Sequence, residues 1–114
     1  MRSKRQKSID QENRAARLIG GKRVRGSGSV LVNPSDAISS EIMVECKYVD
    51  TESMSISRGV LSKIEEDALN ANKIPMLMFG FSDGNIVKNN WVAFPEYAFE
   101  KISKYLISLD KNSK

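Results

Sequence analysis

Residues 35 to 49 read SDAISSEIMVECKYV, and this stretch decides the fold. From Ile42 the residues alternate, with Ile42, Val44, Cys46 and Tyr48 on one side and Met43, Glu45 and Lys47 on the other. That period of two predicts a strand over Glu41 to Val49 with one apolar face and one chemical face. Asp36 stands nine residues before Glu45 and Lys47 two after it, giving the pattern D-x8-E-x-K. Residues i and i+2 of a strand project side by side, so Glu45 and Lys47 enter the same cleft. A turn between Asp36 and Glu41 would bring a second carboxylate beside Glu45. Converging carboxylates repel one another, and a hard divalent cation is the natural resolution, with magnesium fitting best because it takes oxygen ligands and keeps waters. The bare pattern equally describes a solvent-facing strand edge with an ordinary Glu-Lys pair. Cys46, on the apolar face, reads as a small buried hydrophobe and not as a nucleophile.

C-terminal to this strand, Ser57 is an N-cap with Ile56 and Leu61 placed as a hydrophobic staple. The helix it opens runs to about Asn72 and buries Val60, Ile64, Ala68 and Ala71. Pro75 to Phe81 is a continuous apolar run expected as an inner strand covered on both faces. Asp83-Gly84 marks a turn, Trp91 to Phe94 a short strand, and Pro95 the start of a last helix that packs Ala98, Ile102, Tyr105 and Leu109.

N-terminal to it, residues 8 to 19 read as a helix with Ser8 as N-cap and Gly20-Gly21 as stop. Ile9, Ala15, Ala16 and Ile19 share a face, and Glu12 lies in the middle of it. A carboxylate facing a core costs free energy unless something satisfies it, which makes Glu12 a functional candidate. Lys22 to Arg25 is a short extended segment, Gly26-Ser27-Gly28-Ser29 a loop, and Val30 to Val32 a further strand before the turn at Asn33-Pro34-Ser35. The expected class is α/β, one mixed sheet flanked by helices. The expected organisation is a basic arm over residues 1–7, a single domain over residues 8–109 and a frayed tail over residues 110–114.

Composition narrows the chemistry. At 114 residues and 40% hydrophobic, the chain closes one core. No uncharged run approaches the ~20 residues that span a bilayer, and the basic N-terminus runs into polar sequence, so a cytoplasmic location without membrane association is expected. One cysteine and no histidine remove disulfide frameworks, Ser-His-Asp triads and histidine metal sites together. Residues 1–25 carry nine basic side chains against Asp10 and Glu12, a net +7, while the remainder is net −3. Arg14, Arg17, Lys22, Arg23 and Arg25 therefore form an electrostatic footprint suited to a polyphosphate partner. Residues 1–7 read either as part of that footprint or as a solvated basic tail.

Glu12, the segment GGKRVRGSGS, Ser35-Asp36-Ala37 and Val44-Glu45-Cys46-Lys47-Tyr48 together resemble the motifs of the PD-(D/E)XK nucleases, in particular the small Holliday junction resolvases of archaea and phages. The likeness continues through Lys63-Ile64 and Ile74-Pro75-Met76-Leu77 and spans most of residues 8–106. One departure is that the proline often preceding the motif Asp stands a residue early, at Pro34. The resemblance implies an αβββαβ core, a homodimer and Mg²⁺-dependent hydrolysis of DNA phosphodiesters, with Mn²⁺ able to substitute and no small-molecule cofactor. It assigns catalysis to Glu12, Asp36, Glu45 and Lys47, adds the Cys46 backbone carbonyl as a metal ligand beside Asp36 and Glu45, with Glu12 reaching the metal through water, and gives Ser27 and Ser29 a loop near the scissile phosphate. Relatives place a further polar residue on the helix after the E-x-K strand, for which Lys63 and Glu65 both qualify; Lys63 would also serve DNA.

The function expected is a structure-specific endonuclease making paired nicks in four-way or other branched DNA during recombination and repair, in a bacterial, archaeal or phage-infected cell. A nicking or repair nuclease on duplex or single-stranded DNA keeps the same fold and metal. A non-catalytic DNA-binding module explains the charge but not the acids, which oppose phosphate binding unless a cation intervenes. Met76, Met78, Trp91, Phe94 and Tyr97 are candidates for a dimer surface or for core.

Overall fold

The computed structural model describes residues 2–24 and 35–112. The elements run α1 (Lys4–Leu18), β1 (Lys22–Arg23), β2 (Ala37–Ile38), β3 (Ile42–Val49), α2 (Arg58–Asn70), β4 (Ile74–Ser82), β5 (Val87–Ala93) and α3 (Glu96–Asn112). The strands form one mixed sheet in the order β1-β2-β3-β4-β5. β3 and β4 are parallel at its centre, and every other pairing is antiparallel. A parallel pair needs a crossover, and α2 supplies it.

Two apolar layers hold the sheet. On the α1 side, Ala15 and Ala16 pack on Ala37, Val44 and Met78, with Ile19, Ile42, Cys46 and Met76 at the margin. Alanine on the helix lets α1 lie close to the strands, which sets the depth at which Glu12 meets the sheet edge. On the α2 side Met43, Ile64, Ala68 and Leu77 are buried. β4 carries buried residues from both parities and is the inner strand its apolar run predicts. Among the described residues no helix is long and apolar enough to cross a membrane.

Local chemistry fixes the ends. Ser57 caps α2, its hydroxyl accepting from the Val60 N–H at 3.1 Å. Gly20 ends α1 at φ +66°, a left-handed conformation that favours glycine. A Cβ at Gly21 would collide with the Ile38 carbonyl, so only glycine lets the chain leave α1 directly against β2.

Several expectations are corrected. α1 starts at Lys4 with Ser3 as its cap, so residues 4–7 are its first turn and not part of an arm. The cause is burial of polar side chains that the apolar pattern does not register. Lys7 and Gln11 lie in the interior with Ala15, and the Lys7 Nζ donates to Asp50 Oδ1 and Ser82 Oγ, each at 3.0 Å. β2 is the two-residue segment after Asp36; Val30 to Val32 lies outside the described residues. β5 is longer than Trp91 to Phe94 and excludes Phe94. α3 continues to Asn112, into the expected tail, and of its apolar stripe only Ala98 is fully buried.

Candidate functional site

Asp36 is held by main-chain bonds on both sides. Its N–H donates to the Val44 carbonyl and its own carbonyl accepts from the Val24 N–H, both at 2.9 Å. The short β1-β2-β3 ladder thus fixes this residue before its side chain does anything. Its Oδ2 then accepts from the Cys46 N–H at 2.8 Å. By strand alternation the Cys46 carbonyl leaves β3 on the edge its N–H uses, the edge Asp36 caps.

Glu45 projects from β3 toward α2, with its carboxyl close enough to that of Asp36 for the two to interact. Burial foremost, then the neighbouring Asp36 carboxyl and its charge, push Glu45 from the ordinary 4.5 up to about 8; Lys47 opposes this and Asp67 adds to it. Lys47 is exposed and lines an open cleft with Glu45, Ser57, Val60 and Lys63. Its carbonyl accepts from Gln11 Nε2 at 2.8 Å, and the same amide group reaches Asn90 Oδ1 at 3.1 Å.

Glu12 approaches from the α1 side. Its Oε1 pairs with Arg23 Nη1 at 3.2 Å, both side chains mostly buried. Burial and then the charge of Asp36 raise the Glu12 carboxyl above its usual range, and the Arg23 bond opposes them. Glu12, Asp36 and Glu45 all act on the Cys46 thiol, which burial and these charges push far up, leaving it protonated and unreactive.

The structure therefore brings Asp36 and Glu45 into contact, sets Lys47 beside them and holds Glu12 within electrostatic reach. Ser27, Ser29 and Arg25 lie outside the described residues. Arg14, Arg17 and Lys22 are exposed, whereas Arg23 is tied to Glu12. Lys63 faces the Glu45 cleft, and Glu65 lines a separate apolar groove with Pro75 and Phe94. Sequence reasoning overlooked Gln11, which fixes the Lys47 main chain, and Asp67, which faces Glu45. Asp67 follows Ile64 by three residues, so a helical count already sets it beside the buried stripe.

The donor set suits a hard cation. Among the described residues no group of three His, Cys, Asp or Glu side chains converges as a ready-made metal cage. Magnesium is commonly bound by one or two carboxylates together with waters and phosphate oxygens, and Asp36 with Glu45 meets that requirement. Comparison of the chain with protein-family models, curated proteins and solved structures gave no match.

Proposed function

We propose that this protein is a Mg²⁺-dependent endonuclease acting on branched DNA, with its catalytic centre at the β3 edge. The observation carrying this reading is the Asp36–Glu45 carboxyl pair. Two acids are held together on rigid elements at the cost of an abnormal protonation state, and a lysine from the same strand stands alongside. Perturbed carboxyls in a cleft are typical of functional sites.

A divalent cation held by Asp36 and Glu45 would supply Lewis-acid neutralisation of the scissile phosphate and an acidified water. Asp36 would hold the cation while its Oδ2 is anchored on the Cys46 N–H. Glu45 must lose its proton to join it. Lys47 orients the attacking water and offsets negative charge developing on the phosphate. Glu12, paired with Arg23, lies within electrostatic reach of Asp36. Arg14, Arg17, Lys22 and Lys63 supply cationic surface for the DNA backbone, and a homodimer supplies two such centres for paired cuts.

The test is cleavage of a labelled four-way junction beside a duplex of matched sequence, with Mg²⁺ or EDTA, using Glu45→Gln as control. Symmetric, Mg²⁺-dependent nicks confined to the junction are expected, and lost in the variant. Equal cutting of both substrates makes the protein a general nuclease, while binding without cleavage overturns the catalytic reading.

A further inference from the structure

On the α2 side of β3, away from Glu12, a small cavity of about 10 Å³ lies between Ser35, Met43, Glu45, Ile64 and Asp67. Ser35, immediately before Asp36, is only 8% exposed, and its Oγ has no hydrogen-bond partner among the described residues. Buried hydroxyls are almost always satisfied, so this one needs a partner. Asp67 enters from α2 with its side chain 17% exposed, and Lys63 Nζ grips its Oδ1 at 2.8 Å one turn earlier. The cavity has room for about one water, and three of its lining residues, Ser35, Glu45 and Asp67, carry polar side chains, the setting in which buried water is ordered. A magnesium ion does not suit the same space. It keeps several of its own waters, and Met43 and Ile64 form the remaining walls.

We propose that Asp67 and Ser35 are positioning residues, joined by one bridging water that holds the Glu45 carboxyl against Asp36. The inference rests on Glu45 being a cation ligand, as proposed above, and supplies the outer support such ligands need to keep one orientation. Lys63 gains a role that requires no DNA. By pairing with Asp67 at i,i+4 it fixes the rotamer that reaches the cavity. The geometry also explains why Asp67, and not Glu65, is the α2 acid tied to the site, since Glu65 lies on the groove side of the same helix.

Two measurements test this. Mn²⁺ titration followed by electron paramagnetic resonance should show Asp67→Leu binding about 10- to 100-fold more weakly than wild type. Asp67→Asn, whose amide oxygen still accepts from the water, should stay within about threefold; thermal melts establish that both variants fold. A folded Asp67→Leu with wild-type Mn²⁺ affinity overturns the proposal. The second measurement is a metal-free crystal structure, in which an ordered water bonded to Ser35 Oγ and the Asp67 carboxylate is expected. A dry cavity, or Ser35 bonded elsewhere, overturns the bridge. Wild-type protein that binds no Mn²⁺ would sink the catalytic reading, and the crystallographic water would then decide the bridge alone.

Discussion

Glu45 is a carboxyl whose ionisation the fold resists. Burial and the neighbouring Asp36 hold its pKa at about 8, against 4.5 in a model peptide. Between those values the folded chain keeps a proton that the unfolded chain has released. Stability therefore falls as pH rises through that window and is lowest above it. Glu45→Gln imitates the protonated side chain at every pH. Chemical denaturation should find it as stable as wild type near pH 4.5 and more stable at pH 8 to 9, by about 1–3 kcal/mol once solvent screening at this half-open site is allowed for. A gap that does not widen with pH would mean that burial and Asp36 do not raise the Glu45 carboxyl. Under the proposed function the same variant should also lose cleavage, which would make a carboxyl that weakens the fold at high pH one that the chemistry needs, a pattern expected where strain is kept for function.

At the scale of elements, α1 is strapped to the sheet by polar groups as well as by its alanines. Lys7 reaches Asp50, just past the end of β3, and Ser82, the last residue of β4, with its ammonium 5.4 Å from the centre of the Tyr48 ring. Gln11 ties β3 to β5 through the Lys47 carbonyl and Asn90. Lys7→Ala and Gln11→Ala should each destabilise by about 1–3 kcal/mol in urea unfolding, because each leaves interior polar groups short of a partner. Arg14→Ala on the outer face should stay within about 0.5 kcal/mol, and equal effects for all three would contradict the strap. These contacts also mark where the sequence was legible. β3 was readable because half-burial prints a period of two, and α2 because Ser57 and the Ile64/Ala68 spacing agree. Asp36, Glu45 and Lys47 were readable because strand geometry converts spacing into proximity. The start of α1 was not, since buried lysine and glutamine look like surface until their partners, over 35 residues away in the chain, are known. β2 was not, since two residues carry no period. Asp67 escaped because the helical count that sets it beside the buried stripe does not show the cavity it faces, on which its significance depends.

For the whole molecule, α3 raises a question the rest of the fold does not answer. It makes only glancing contact with the other elements. Ala98, Ile102, Tyr105 and Leu109 follow a four-three-four spacing with Phe99 and Leu106 alongside, a seam of the kind that pairs helices. Ala98 is spent on the protein's own core, yet Phe99, Tyr105 and Leu106 are each more than half exposed. A helix of this length gains little from propensity alone and needs its apolar face covered. The homodimer proposed above would cover it: an antiparallel two-fold between Tyr105 and Leu106 would set Ile102 against Leu109 of the second copy and the reverse, while the two helix dipoles oppose. Such a contact is self-complementary and closes at two subunits. It would give the paired centres that cutting two strands demands. Sedimentation at micromolar concentration should show a wild-type dimer and a folded Leu106→Glu monomer. That monomer should still nick one strand of a junction while losing the paired, simultaneous cut. A Leu106→Glu protein that remains dimeric would move the interface off α3, and a wild type that stays monomeric at about 100 µM would remove the dimer and require paired nicking to arise from two independent encounters.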